Sequence, residues 1–173
     1  MLVRASVILV LLFLFLFEGT VFQIFAPDLR GADYQLIPRF MFMLILFTGI
    51  FRGRSHGLFY GIVLGLLYDI VYSPILGIYT FGMGFTAYLL SISTMYVKNR
   101  LPLVVFIIVD GVVMLEYYVY GMMSLLSITD LSHENILTMR FIPSFIMNGV
   151  VIAVLAFPLR LWFYYLDGRE EAD

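Results

Sequence analysis

The chain has 173 residues, 62% apolar and only 13% charged, with a mean hydropathy of +1.01 and a formal net charge of −2. A soluble domain carries roughly 45–50% apolar and about 25% charged residues, so this composition cannot cover a water-facing surface and fits a polytopic protein with the lipid bilayer as its outer solvent. The absence of a basic patch gives no sign of a nucleic-acid partner, and the absence of cysteine excludes disulfides, thiolate nucleophiles and Cys-based metal sites.

Crossing the hydrocarbon core takes about 20 apolar residues in a helix. Six spans are predicted, at Ala5–Phe25, Gln35–Phe51, Gly57–Tyr72, Ile75–Val97, Leu101–Leu126 and Leu137–Trp162. The first follows Arg4 as a signal peptide would, but its apolar run is too long and QIFAPD offers no small-residue cleavage site, so a retained helix is expected. The second and third are short, and must thin the bilayer, lie inside the bundle or extend with polar flanks. A five-span arrangement with a re-entrant third segment is the alternative. Every connection is short, including the Ser73-Pro74 turn between spans three and four. The expectation is therefore an all-α integral membrane fold, a single polytopic domain over residues 1–166, followed by a polar tail at 167–173 that frays.

Lys and Arg set the orientation. With the N-terminus in the cytoplasm, Arg4, Arg52, Arg54, Lys98, Arg100, Arg160 and Arg169 fall inside, and Arg30, Arg39 and Arg140 fall outside. Both termini are then cytoplasmic, as an even number of spans requires. Trp162, Tyr164 and Tyr165 close the last span, where amphipathic rings favour the headgroup layer.

The third span carries a stripe. Gly57, Gly61, Gly65 and Asp69 fall four apart, so on a helix they lie nearly above one another. Glycine lets another helix approach the backbone, and in lipid such packing drives association. The stripe is a groove for a neighbouring helix. Asp69 is either a hydrogen-bonded acid that fixes packing, which Asp69→Asn should largely preserve, or a binding or proton-relay carboxylate. Glu18, Asp110 and Glu116 are further acids at depth, near the midplane or in the outer half of the predicted spans. Such residues are expected to be buried and partnered. Asp110 and Glu116 lie about 120° apart around a helix and so face different partners. Arg39, Arg140 and Asn148 are the candidate partners, with several tyrosines. The acids either fix how the helices dock or line a polar pocket open to the outer face.

Other chemistry is missing. His56 and His133 fall on opposite sides of the membrane, which argues against a metal site. No serine has a nucleophile-elbow context, and there is no P-loop or dinucleotide fingerprint. No cofactor is expected.

The segment G-x-x-x-G-L-L-x-D from Gly61 to Asp69, followed by Ser73-Pro74 and Gly77, resembles the signature of the bacterial rod shape-determining MreD family. Chain length, short-looped spans and the Arg-bearing loop before the motif are also similar. The resemblance implies a six-helix fold similar to the substrate-binding subunits of energy-coupling-factor vitamin transporters. It implies a non-enzymatic scaffold in the cell membrane that binds MreC. The wider machinery comprises MreB filaments, a RodA-type glycosyltransferase and a penicillin-binding transpeptidase, serving peptidoglycan synthesis. Gly61, Gly65, Asp69 and Gly77 carry over as signature residues, while Gly57 joins them by stripe geometry alone. The leading expectation is a scaffold that docks a partner's helix in the glycine groove, with internal helix packing as the other reading of the stripe. The alternative is a small-ligand-binding subunit similar to the vitamin-capturing members of that fold.

Overall fold

A computed structural model describes residues 2–24, 27, 31–92, 94–129 and 133–170. Helix α1 spans Leu2–Leu16 and runs on through a π turn, Phe17–Val21, to Phe22–Ile24. Helix α2 spans Phe40–Arg52, α3 Arg54–Tyr72, α4 Ile78–Leu90 and α5 Leu101–Leu125. Helix α6 spans Ile142–Glu170 and is entered through His133–Ile136 and a second π turn, Leu137–Phe141. No strand occurs among the described residues. Arg54–Tyr72, Leu101–Leu125 and the stretch His133–Gly168 are each long and apolar enough to cross a membrane. Ser6–Val21, Phe40–Arg52 and Ile78–Leu90 are shorter apolar helices.

Helix α2 is the central pillar. Every residue from Met41 to Phe51 is buried, as expected of a helix that is apolar on all sides. Its flanks receive α1, α3, α4, α5 and α6. Its two ends are satisfied by side chains from elsewhere. Glu18 accepts the Met41 N–H at 2.5 Å, and Lys98 Nζ donates to the Phe51 carbonyl at 2.7 Å. An acid at the N-terminus and a cation at the C-terminus both complement the helix dipole.

The chain departs from the predicted spans in four places. The second helix begins at Phe40, not Gln35, because Pro38 disfavours helix in the residue before it. The fourth ends at Leu90 instead of Val97: Ser91 turns its hydroxyl back to the Ala87 carbonyl, and a separate turn, Met95–Lys98, starts at the Thr94 cap. Runs of Ser and Thr compete with helical hydrogen bonding in this way. The third gains a polar first turn, starting at Arg54 and reaching 19 residues. The last helix continues through Glu170, so the expected fraying does not begin at residue 167, and residues 171–173 lie outside the described residues.

Candidate functional site

The glycine stripe is filled by the chain's own α4. Gly53, at φ 103°, turns the chain from α2 into α3, and α3 then packs antiparallel to α4. A Cβ on Gly61 would lie 2.8 Å from the Met83 carbonyl oxygen and 2.9 Å from Gly84 Cα. On Gly65 it would lie 2.6 Å from the Tyr79 oxygen and 2.8 Å from Thr80 Cα. These obstacles are backbone atoms, which cannot swing away. On Gly57 it would meet the Ser91 hydroxyl at 2.7 Å and Gly49 Cα, on α2, at 3.1 Å. The groove is therefore not open to another protein's helix, which corrects the expectation that a partner docks there.

At the top of the stripe Asp69 closes the hairpin. Its Oδ1 accepts the Tyr79 N–H at 2.9 Å. Its Oδ2 accepts the N–H groups of Gly77 at 2.9 Å and Thr80 at 2.8 Å, and the Thr80 hydroxyl at 2.6 Å. Asp69 belongs to the last turn of α3, yet it does for α4 what an N-cap residue does, satisfying N–H groups that have no partner within the helix. Gly77 has φ 103° and ψ −19°, a left-handed conformation that glycine adopts without steric cost. Glycine spacing, acid, turn and final glycine thus serve one object, the α3–α4 hairpin.

A second polar centre gathers around Arg39, which is 1% exposed. Its Nε donates to Glu116 Oε1 at 2.5 Å. Its Nη1 donates to the Tyr68 hydroxyl at 2.9 Å and its Nη2 to the Tyr79 hydroxyl at 3.2 Å. The guanidinium carbon also stands 5.4 and 5.1 Å from the centres of those two rings, within cation–π range. The second oxygen of Glu116 accepts from Arg140 Nη2 at 3.2 Å. Arg39 is thereby bound to α3, α4 and α5 at once. Tyr68 and Tyr79 flank Asp69 and its acceptor role, so the two polar centres are neighbours.

Side chains of α6 satisfy the non-helical backbone before α2. Non-helical backbone is tolerated at membrane depth only where protein satisfies it. Asn148 Oδ1 accepts the Arg39 N–H at 3.0 Å, and its Nδ2 donates to the Ile37 carbonyl at 2.9 Å. The Ser144 hydroxyl accepts the Ile37 N–H at 3.0 Å and donates to the Gln35 carbonyl at 3.3 Å. The Gln35 N–H reaches the Met139 carbonyl at 2.7 Å, which Pro143, having no N–H, leaves free in the helix. Glu18, set at the first π turn, holds the start of α2 beyond it.

The predicted polar residues divide. Glu18, Arg39, Asp69, Glu116 and Asn148 are buried, and Arg140 is half-buried. Asp110 is not: it is exposed on α5 and carries no hydrogen bond or ion pair among the described residues. This corrects its assignment to the buried set. The cause is the helix itself, whose other face packs Gly111 against Leu46 and Leu90 and turns Glu116 inward. Sequence reasoning missed Tyr79, Thr80 and Ser144. Thr80 lies three residues past the predicted turn glycine, a common place for a capping partner, whereas Ser144 gives no local signal. His133 stacks beside Tyr117 and Tyr120, with ring centres 5.9 and 6.1 Å away. Among the described residues no group of three or more His, Asp or Glu side chains could hold a metal.

The family model described as rod shape-determining protein MreD matches residues 3–166. The rod shape-determining protein MreD of Bacillus subtilis (strain 168) is 34% identical over 134 residues, which is 78% of this chain and 78% of that one. No solved structure matches the chain. The apolar helices make it a membrane protein, and the matches show that the chain belongs to the MreD family of rod shape-determining proteins.

Proposed function

We propose that this protein is a non-enzymatic scaffold of the bacterial cell-elongation machinery. It binds MreC in the cell membrane and helps to position a RodA-type glycosyltransferase and a penicillin-binding transpeptidase, alongside MreB filaments. In this reading α1 to α6 each cross the bilayer, both termini are cytoplasmic, and the two polar centres lie in the outer half. The fold is then similar to the substrate-binding subunits of energy-coupling-factor transporters. The observation that supports the scaffold is the use made of the buried acids. Glu18 and Asp69 accept backbone N–H groups at helix starts, and Glu116 accepts from two arginines. Their acceptor capacity goes to holding helices together, not to a reacting group. The test is affinity purification in mild detergent. Recovery of an MreC-like protein with the wild-type chain is expected. An empty eluate, or turnover of a lipid or peptide precursor by the purified chain, would overturn the reading.

One observation favours a second reading, a small-ligand-binding subunit. A cavity of about 380 Å³, lined by Asp33, Tyr34, Gln35, Asn135 and Arg140 among others, opens beside the Arg140–Glu116 pair. Native mass spectrometry of the purified chain discriminates. A stoichiometric small molecule that disappears with Glu116→Gln favours the ligand reading, and an empty chain that carries another membrane protein favours the scaffold.

A further inference from the structure

Asp110 stands nine residues into a 25-residue helix, Leu101–Leu125, roughly 14 Å from its start at 1.5 Å per residue. Its short side chain cannot reach either headgroup layer from there. Phe106, 69% exposed, lies one turn before it, and Tyr117, 38% exposed, lies two turns after it. At Gly121, one turn further, an added Cβ would meet nothing within 4 Å. Phe106, Asp110, Tyr117 and Gly121 thus share one face of α5, exposed at Phe106 and Asp110 and flanked at Tyr117 by the rings of His133 and Phe141. Every other acid within the helices that cross or border this level, Glu18, Asp69 and Glu116, is buried and partnered. An acid facing hydrocarbon is costly, and intramembrane acids pair with something.

We infer that this face of α5 is the docking seam for a membrane-spanning helix of another protein, one that carries a Lys, Arg or His side chain at the level of Asp110. The inference names the surface used by the scaffold proposed above and rests on that reading. Charge complementarity selects the occupant. A second copy related by a two-fold axis would set Asp110 against Asp110. Arg100 and Arg160 line a cavity with Leu101 to Phe106 at the start of the same helix, but they stack on Tyr96 and Tyr164 and neither forms an ion pair with Asp110. Between two helices in lipid, an acid facing a cation gives both register and partner choice.

The test uses the full chain in its own membrane. A photo-crosslinking phenylalanine analogue replaces Phe106 or Tyr117, with Phe59 on α3 and Ile146 on α6, both exposed, as control positions. Crosslinked peptides are mapped by mass spectrometry. The expected product joins positions 106 and 117 to one spanning helix of another protein, with a Lys, Arg or His within a turn of the crosslink. Asp110→Lys and Asp110→Leu should lower the yield about tenfold, as loss of a desolvated charge partner does. Changing the partner's cation to Asp should restore the yield with Asp110→Lys. Because Asp110 is exposed and unpaired, these variants leave the packed core untouched, and their thermal stability in detergent should match wild type. Crosslinks to lipid alone, to a second copy or to a helix without a cation would overturn the inference, as would yields indifferent to residue 110. If the wild-type chain recovers no membrane protein at all, the scaffold reading itself fails. If it recovers one whose crosslinks arise at the control positions, only the seam fails.

Discussion

The two polar centres hold the bundle together by opposite routes. The Asp69 centre is local: the acid and the N–H groups it accepts lie within eleven residues, on consecutive helices joined by one turn. The Arg39 centre is assembled from afar, with partners 77 residues away at Glu116 and 109 away at Asn148. The local centre sets the geometry of one hairpin. The remote one fixes α3, α4, α5 and α6 around the start of α2, and so determines which helix neighbours which. Losing the first should loosen a hairpin, and losing the second should dissolve the bundle's arrangement.

The largest effect is expected at Arg39. Arg39→Met leaves the buried Glu116 with only the half-buried Arg140, and stranding one member of a buried ion pair costs about 3–5 kcal/mol. Thermal unfolding in detergent should show a large fall in midpoint. The double variant Arg39→Met/Glu116→Leu should be less damaged than the sum of the single variants, because it strands no carboxylate. Additive losses would break the view of Arg39 and Glu116 as one unit.

Next comes Gly65→Leu. The side chain meets the backbone of Tyr79 and Thr80, at 2.6 and 2.8 Å from its first carbon, so α3 and α4 must separate. Overpacking of this kind costs roughly 1–3 kcal/mol or more. The readout is the distance between α3 and α4 from paired spin labels on this cysteine-free chain, which should increase, while labels on α5 and α6 should hold their spacing.

Asp69→Asn should cost about 1–3 kcal/mol, the penalty for leaving a buried donor unsatisfied. Both oxygens of Asp69 accept, so the amide N–H₂ of Asn would face donors. This reverses the tolerance expected from sequence. The smallest effect is at Thr80→Val, which removes only the hydroxyl donor to Asp69 and leaves the three backbone donors, from Gly77, Tyr79 and Thr80, in place, so the loss should stay at about 1 kcal/mol, the net worth of a typical hydrogen bond. Unfolding midpoints for the pair should fall in that order, and equal losses would show that the backbone donors are not what Asp69 serves.

The contrast also explains what could be read from the sequence. Gly61, Gly65 and Asp69 are visible because a helix repeats every 3.6 residues and their partner helix follows at once. That the groove belongs to α4 instead of another protein is not visible, since spacing specifies a close approach and not its owner. Arg39, Arg140, Asn148 and Glu116 were recognisable as polar residues in oily surroundings, but their pairing depends on how distant helices dock. Asp110 and Glu116 sit in the same helix among similar apolar neighbours, and only the packed structure tells the inward acid from the outward one. Hydropathy averaging hid the non-helical stretch at residues 35–39 and the break after Leu90, where Pro38 and Ser91 override an otherwise apolar window.

The central claim is that the buried acids work by holding the fold. The direct measurement is rescue of rod shape per folded molecule, in cells depleted of the native protein, for Glu18→Gln, Asp69→Asn and Glu116→Gln. The account predicts that rescue falls only as far as the amount of folded protein falls. A variant folded to wild-type level that leaves the cells round would contradict it and assign that carboxylate a direct role in the work.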